Sequence, residues 1–142
     1  MKTLTLFMEN LFNEEIGSSS YQSIENKTIS SDSYSNITLS GSLFKEVVFE
    51  DVIFANCIFF SSTIENCLFI NCLFINCKFQ FSHFLDCNFE LTSWKNCIWG
   101  LTALKDSEII QSDSHNNYSF ESSGPCHHTQ TLTLNEFLDL TA

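Results

Sequence analysis

The chain has 142 residues, with 17 acidic residues against 6 lysines, no arginine, and a net charge of −11. This length suits a single domain. Because sites that grip phosphate usually rely on arginine, the composition argues against direct binding to nucleic acid. The apolar run after Lys2 is broken at Glu9, and no apolar stretch reaches the length of a membrane span. We therefore expect neither secretion nor insertion into a membrane.

Residues 1–36 are expected to form an N-terminal cap and a loop. Apolar residues at helical spacing predict a short helix from Met1 to about Glu15; they are Leu4, Phe7, Met8, Leu11 and Phe12. Residues 17–35 are rich in Ser and Asn, which predicts a loop. Ile24 and Ile29 nevertheless stand in the register of the repeat that follows, so a degenerate first coil remains open.

Residues 37–111 contain a repeat in which every fifth residue is large and apolar. The series is Leu39, Phe44, Phe49, Phe54, Phe59, Ile64, Phe69, Phe74, Phe79, Phe84, Phe89, Trp94, Trp99, Leu104 and Ile109. Neither a helix nor a plain strand has a period of five. A fixed repeat of this kind predicts a solenoid, in which each unit buries its apolar face only against its neighbours.

Two further positions of the repeat carry their own residue types. Two residues before each large apolar residue stands a smaller one, and this position holds six of the seven cysteines: Cys57, Cys67, Cys72, Cys77, Cys87 and Cys97. Asn or Asp recurs directly before the smaller residue, at Asp51, Asn56, Asn66, Asn71, Asn76, Asp86, Asn96 and Asp106. Because both residue types tolerate left-handed backbone, they are predicted to form corners rather than to bind a ligand.

This pattern resembles the pentapeptide-repeat family, whose motif is small, polar, Leu or Phe, polar, variable. The resemblance implies an all-β fold, a right-handed four-sided β-helix in which each pentad forms one side and four pentads form one coil. The large residue and the small residue two places before it would point inward. We therefore predict a solenoid of about 15 pentapeptide repeats over residues 37–111, with short helical or strand-like caps at both ends.

In such a coil, residues twenty apart stack one rung apart, at about 4.8 Å. Phe54 and Phe74 are thus expected beneath Trp94, and Phe59 and Phe79 beneath Trp99. The cysteines of one side would run parallel to each other, which is poor geometry for a disulfide. Free thiols are therefore expected, and they point to a reducing, cytoplasmic setting.

Residues 112–142 are predicted to form a polar loop and a short C-terminal helix. Thr133 and Glu136 make a capping box, with Leu134, Phe137 and Leu138 on one helical face. An added strand through Leu132 and Leu134 is an open alternative.

The two ends of the chain share a motif. Thr3-Leu4-Thr5-Leu6 recurs as Thr131-Leu132-Thr133-Leu134. Because the open ends of a solenoid need cover, these segments are expected either to cap the coil or to form a dimer contact.

The outward residues differ between the four sides. Side one has its large inward residues at Phe44, Ile64, Phe84 and Leu104; side two at Phe49, Phe69, Phe89 and Ile109; side three at Phe54, Phe74 and Trp94; side four at Leu39, Phe59, Phe79 and Trp99. All eight acidic residues between residues 42 and 111 fall on sides one and two. We name them the acidic face: Glu46, Glu50, Asp51, Glu65, Asp86, Glu90, Asp106 and Glu108.

Sides three and four carry no acidic residue in this range and present apolar side chains instead. We name these the apolar patch: Ile53, Ile58, Phe60, Leu73, Ile75 and Phe81. Apolar surfaces of this kind normally contact something. The patch is therefore a candidate protein interface, unless the termini of the chain lie over it.

Groups suited to catalysis or metal binding are few. His83 near Glu65 or Asp86 has acid–base chemistry, but an exposed solenoid position seldom forms the shielded cleft that catalysis needs. Cys126, His127 and His128, with His115 upstream, have ligand chemistry, but their spacing matches no standard zinc pattern. We expect no enzyme activity, no cofactor and no metal site.

These features predict a non-catalytic scaffold or regulatory adaptor that binds a protein through the outer faces of the coil. The partner is not identified by the sequence, and self-association through the terminal segments or the apolar patch is open. The resemblance implies an alternative, because some pentapeptide-repeat proteins resemble a DNA duplex in width and charge. Those proteins bind a type II topoisomerase such as DNA gyrase and protect or inhibit it. In that case the acidic face would make the contact.

Overall fold

The computed structural model describes residues 18–20, 23–122 and 130–141, and within them the chain forms a parallel β-solenoid. Each short strand pairs in parallel with the strands twenty residues before and after it. Phe74, for example, is in register with Phe54 on one edge and Trp94 on the other. Four strands therefore complete one coil, and the predicted four-sided all-β fold is confirmed.

The strands line up into the four sides that the repeat predicts. Side one contains β2 (Ser23–Glu25), β5 (Leu43–Lys45), β8 (Thr63–Glu65), β12 (His83–Leu85) and β16 (Ala103–Lys105). Sides two and three share the long strands β3 (Thr28–Ser35) and β6 (Val48–Ala55). Side two continues with β9 (Leu68–Ile70), β13 (Asn88–Glu90) and β17 (Glu108–Ile110), and side three with β10 (Leu73–Ile75), β14 (Ser93–Lys95) and β18 (Asp113–His115).

Side four is the longest stack. It contains β1 (Ser18–Ser20), β4 (Thr38–Ser40), β7 (Ile58–Phe60), β11 (Lys78–Gln80), β15 (Ile98–Gly100), β19 (Tyr118–Phe120) and β20 (Gln130–Thr131). Its last strand, β20, comes from the C-terminal segment and pairs in parallel with β19. The chain thus returns to extend one side of its own coil.

A corner with left-handed backbone separates neighbouring sides. Every fifth residue from Asn26 to Glu121 has φ between 43° and 61°. The corner N–H groups stay bonded, since the Asn56 amide donates to the Ile75 carbonyl one rung on at 2.9 Å. The predicted corner role of Asn and Asp is therefore confirmed. Larger residues such as Leu91 stand at the same φ, which is costly for a residue with a Cβ.

The interior contains aromatic stacks that run along sides two, three and four of the coil, with one ring on each rung. Phe74 lies 4.8 Å from Phe54 and 6.0 Å from Trp94, with the rings within 6° of parallel. On side four, Phe79 lies 5.1 Å from Phe59 and 4.1 Å from Trp99. The predicted stacking beneath both tryptophans is confirmed, because the strand register fixes each ring directly above the one twenty residues earlier.

The small inward residue ties consecutive rungs together. The hydroxyl of Ser62 lies 3.3 Å from the Leu39 carbonyl in the rung below and receives the Ser42 amide at 3.2 Å. Cysteines make the same downward contact, as Cys72 Sγ lies 3.3 Å from the Phe49 carbonyl. Ser, Thr and Cys can all make this contact, whereas Val47 and Val52 fill the same buried position without a donor.

The six cysteines within the described residues are buried and unpaired, as predicted for this part of the chain. Burial raises the pKa of Cys72 to about 11. The pKa of Cys57 is raised by its contact with Cys77 and by burial. The Cys57 and Cys72 thiols therefore stay protonated at neutral pH and are poor nucleophiles. Cys126 lies outside the described residues.

The coil is longer than predicted, with about five turns. The loops expected over residues 17–35 and 112–122 are wrong for the described part, because β2, β3, β18 and β19 occupy these segments. Ile24, Ile29 and Tyr34 are buried in the interior positions of the first coil. At the other end Ser114 and Ser119 take the place of large residues above Trp94 and Trp99. The predicted boundaries at residues 36 and 111 therefore fall inside the coil.

Near this end of the coil, two buried hydrogen-bond donors lack a partner among the described residues. The indole Nε1 atoms of Trp94 and Trp99 are buried and have no hydrogen-bond partner among the described residues. Each buried donor left unpaired costs about 1–3 kcal/mol. The stacking of both rings on the phenylalanines below offsets this cost.

The C-terminal helix, α1 (Leu134–Thr141), is confirmed, and so is its capping box. The Glu136 carboxylate accepts from the Thr133 amide at 2.9 Å, which lowers the pKa of Glu136, and Thr133 Oγ1 accepts from the Glu136 amide at 3.3 Å. Leu134, Phe137 and Leu138 lie at i, i+3 and i+4 of this helix, as predicted, but only Phe137 is buried, whereas Leu134 and Leu138 are exposed. The predicted helix over residues 1–15 lies outside the described residues.

Phe137 fixes α1 to the outside of side four. Its ring stacks on Phe120 with centroids 4.9 Å apart, and a Cβ on Gly100 would clash with it. Glycine at position 100 therefore makes the space that the ring fills. Leu132, between β20 and α1, is also buried. Among the described residues, no helix is long and apolar enough to cross a membrane.

Candidate functional site

The apolar patch lies on two adjacent rungs of sides three and four. Ile53, Phe60 and Phe81 expose 43%, 39% and 47% of their surface, whereas Ile58, Leu73 and Ile75 are half-buried. Ile53 and Leu73 are direct neighbours in the sheet. All six predicted residues therefore point outward.

Phe60 and Phe81 form the centre of the side-four half of the patch. Their rings meet edge to face, with centroids 5.5 Å apart. Phe81 is also a corner residue, with φ of 52°. Every corner of the coil has left-handed backbone, so this conformation does not distinguish Phe81. The exposure of two adjacent aromatic rings does, because exposed apolar patches are typical of surfaces that contact another molecule.

The two halves of the patch are separated by a column of asparagines. Asn56 and Asn76 form the corner between sides three and four, and both are exposed. Ile53, Leu73 and Ile75 lie on one side of this column, while Ile58 and Phe60 lie on the other. A partner that covers both halves must therefore accommodate a polar ridge.

The charge next to the patch is positive. Lys78 is in register with Ile58, and Lys95 is in register with Ile75. The outer positions of sides three and four between residues 52 and 101 carry no acidic residue. The patch is therefore suited to an apolar segment with negative charge.

The acidic face occupies sides one and two, as predicted, with its residues at two kinds of position. Glu46, Asp51, Asp86 and Asp106 are corner residues, and Glu50, Glu65, Glu90 and Glu108 lie on strands. Six of the eight are exposed, while Glu65 and Glu90 are half-buried. Two of these acids already have partners, since Lys45 lies 3.9 Å from Glu65 and Asn71 donates to Asp51 at 2.7 Å.

Exposed apolar residues also lie next to the acidic face. Leu91, at the corner between sides two and three, is 53% exposed, and Ile110, on β17, is 45% exposed. The repeat places both of them on the outside. Ile109 was predicted to point into the core but is 37% exposed, because β17 is the last strand of side two. Only the position of the coil end, which the repeat does not reveal, could have identified the exposure of Ile109.

The catalytic and metal candidates do not converge. His83 is exposed on side one, in register with Thr63 and Ala103, on an open face rather than in a cleft. His115 is exposed on β18. Cys126, His127 and His128 lie outside the described residues, within which no three His, Cys, Asp or Glu residues are grouped to hold a metal ion.

These features define the class of protein as a four-sided parallel β-solenoid with exposed apolar and acidic outer faces. Within that class, the chain has the pentapeptide-repeat fold. Three features of this chain support that fold: the five-residue period, the left-handed residue at every corner and the twenty-residue strand register.

Comparison with known proteins gives only distant structural similarities. No protein-family model and no curated protein matches the chain. Among solved structures, a pentapeptide repeat protein (Rfr23) from the cyanobacterium Cyanothece is 9% identical over 77% of this chain and 95% of that one, with a TM-score of 0.49. QnrB1, a plasmid-mediated fluoroquinolone resistance protein, is 12% identical over 73% of this chain and 74% of that one, with a TM-score of 0.30.

Proposed function

We propose that this protein is a non-catalytic scaffold that binds another protein through the apolar patch. The observation that carries the proposal is the exposed pair of rings at Phe60 and Phe81, 5.5 Å apart, on a part of the coil that the described residues leave uncovered. Large apolar groups at the centre of an interface supply most of its binding energy. The two rings are therefore the expected anchor.

The stiffness of the coil favours binding by this surface. Both rings belong to strands or corners held by hydrogen bonds to the rungs on either side, and the Ser61 amide between the two rungs donates to the Gln80 carbonyl at 2.9 Å. A surface that is already ordered loses little entropy when a partner binds. The patch thus needs no rearrangement to act as an interface.

The test compares patch variants with a control on another side. Phe60→Asp and Ile75→Asp place a charge in each half of the patch, and Ile110→Asp places one on a similarly exposed apolar residue of side two. We expect at least tenfold less captured partner, or loss of a self-associated species in light scattering, for the two patch variants only. Circular dichroism checks that all three variants keep the fold. Equal capture and equal mass for all proteins would contradict the proposal.

A second candidate function is mimicry of DNA towards a type II topoisomerase. It is favoured by the exposed acids at the corner between sides one and two, where Glu46, Asp86 and Asp106 are arranged along the coil axis. Consecutive rungs place Asp86 and Asp106 about 4.8 Å apart along that axis. Asn66 interrupts this column between Glu46 and Asp86, and the acids on either side of it are the negative charges that such an enzyme would recognise.

Its test is a DNA supercoiling assay with purified gyrase. The wild-type protein is expected to alter supercoiling at micromolar concentration in a salt-sensitive way. Reversal of Glu46, Asp86 and Asp106 to Lys should reduce the effect at least tenfold, whereas Phe60→Asp should not. An unchanged reaction with wild-type protein would remove this candidate.

We place the protein in the cytoplasm, because six buried and unpaired cysteines suit a reducing compartment. Direct contact with nucleic acid is not proposed, since the chain has no arginine and a net charge of −11. Thiol trapping in intact cells, followed by denaturation and mass spectrometry, tests the location. Cysteines recovered as disulfides would contradict it.

A further inference from the structure

We propose that the N-terminal segment of this chain, residues 4–12, docks with its apolar side chains on the apolar patch. The inference rests on the proposed function, because it assigns to the patch an intramolecular occupant that competes with the partner. Four independent observations support it: the patch is uncovered, the segment carries a motif that docks elsewhere, the reach is sufficient and the charges are complementary.

The patch is the part of side four that the C-terminal segment leaves uncovered. Phe137 covers the outer face at Gly100 on β15 and at Phe120 on β19, near the C-terminal end of this side. Two rungs before Gly100 in the same column stands Phe60, which remains 39% exposed. One terminal segment therefore already lies on this side, next to a second apolar area that is still available.

The N-terminal segment repeats the motif of the segment that docks. In the C-terminal copy, Leu132 of Thr-Leu-Thr-Leu is buried, and Phe137 five residues later is buried against side four. The N-terminal copy has Leu4 at the position of Leu132 but Glu9 at the position of Phe137, and its own apolar residues fall at helical spacing at Phe7, Leu11 and Phe12. The Thr-Leu-Thr-Leu motif is thus present twice, each time followed by apolar residues at helical spacing, and the described residues include the contact of the C-terminal copy.

The chain can reach the patch from where the coil begins. Ser18 is in register with Thr38, which is in register with Ile58. The start of β1 is therefore two rungs, or about 10 Å, from the patch. Residues 13–17 span up to about 17 Å when extended. They are long enough to bring residues 4–12 onto sides three and four. Within the described residues, the coil begins on side four.

The charges on the two surfaces are complementary. Residues 1–16 contain Glu9, Glu14 and Glu15 with a single lysine. The patch is bordered by Lys78 and Lys95, without an acidic residue on the same rungs of these two sides. The acidic face on sides one and two would repel the same segment. Charge therefore directs the segment to sides three and four.

The test is photo-crosslinking within the full chain. Phe60 is replaced by p-benzoylphenylalanine, and a matched control protein carries the same group at Ile110, an exposed apolar position on side two. After irradiation of dilute protein, peptide mapping should find position 60 joined to residues 4–12 of the same chain, at monomer mass. The control should give no such product. Absence of that product overturns the inference, and so does a product formed only between two chains.

Variants of the segment give a second readout. Phe7→Asp combined with Leu11→Asp should reduce the crosslink at least tenfold and raise the fluorescence of an apolar dye at least threefold. Asn10→Asp, a polar position between them, should change neither quantity. Equal behaviour of the double variant and the Asn10 variant would overturn the inference.

Partner capture separates this inference from the proposed function. If the crosslink is absent while Phe60→Asp still abolishes capture, the docking is refuted and the scaffold function stands. A different result refutes the scaffold function and leaves the docking standing. In that case the crosslink forms, but the Phe7 and Leu11 variant captures no partner whose binding is lost in Phe60→Asp. With both correct, the double variant captures severalfold more partner than the wild-type chain.

Discussion

The substitution Phe74→Ala tests the inward assignment of the repeat most directly. Phe74 is 1% exposed and lies between two parallel rings, Phe54 at 4.8 Å and Trp94 at 6.0 Å. Removal of the ring forfeits about 1.5–3 kcal/mol of apolar burial. The cavity adds to this loss, because the rungs above and below are fixed by hydrogen bonds and cannot collapse into it. We expect a total loss of about 3–5 kcal/mol.

The matched control is Phe60→Ala, which deletes the same atoms from the outer face. Phe60 is 39% exposed and leaves no closed cavity when truncated, so we expect a loss of about 1–1.5 kcal/mol. Urea unfolding followed by far-ultraviolet circular dichroism gives the midpoint of each variant without relying on the tryptophans. Equal losses for the two variants would refute the inward and outward assignment of the whole repeat.

Three further predictions concern a corner, the C-terminal helix and the thiols. Leu91→Asn should stabilise the coil by about 1 kcal/mol, because Asn tolerates left-handed backbone and Leu91 is largely exposed; a lower urea midpoint would contradict this. Gly100→Ala should displace Phe137 and speed hydrogen exchange in α1 at least tenfold while β15 stays protected; unchanged exchange in α1 would argue against the proposed contact. Because the pKa of Cys72 rises from 9 in the unfolded chain to about 11 in the fold, its stabilising contribution is complete below pH 9 and is lost as pH rises to 11. A urea midpoint that stays constant over this range would contradict the burial of the thiol, as would rapid labelling of the native protein by a thiol reagent at pH 8.

The five-residue period and the pentapeptide-repeat family that it resembles together predicted the interior of the coil. The resemblance implied that each pentad forms one side of a four-sided coil with its large residue inward, and this assigned which residues are buried. Phe54, Phe74 and Trp94 are stacked as expected for that reason. The corner role of Asn76 followed from the same spacing and from its tolerance of positive φ.

The ends of the coil could not be predicted in the same way. Ser114 and Ser119 are poor core residues by chemistry, yet they continue the coil because parallel pairing with β14 and β15 stabilises their backbone. At the coil ends, backbone hydrogen bonds can maintain the register without a large side chain. The apolar periodicity therefore underestimated the length of the coil on both sides.

The candidate surfaces were predicted in composition but not in accessibility. The repeat assigned Phe60 and Phe81 to the outside, but their edge-to-face contact across a corner depends on the distance between rungs. The exposure of Ile109 depends on which strand is the last of its side. Neither fact is encoded in the residue itself.

The sequence by itself determined the unit of this protein, five residues with one apolar centre, because burial and corner geometry act within a single pentad and its neighbours. Tertiary structure decided where the stack stops and what covers it. The contact of Phe137 shows why. The space that Gly100 leaves is filled only when a ring from the C-terminal segment folds back onto side four.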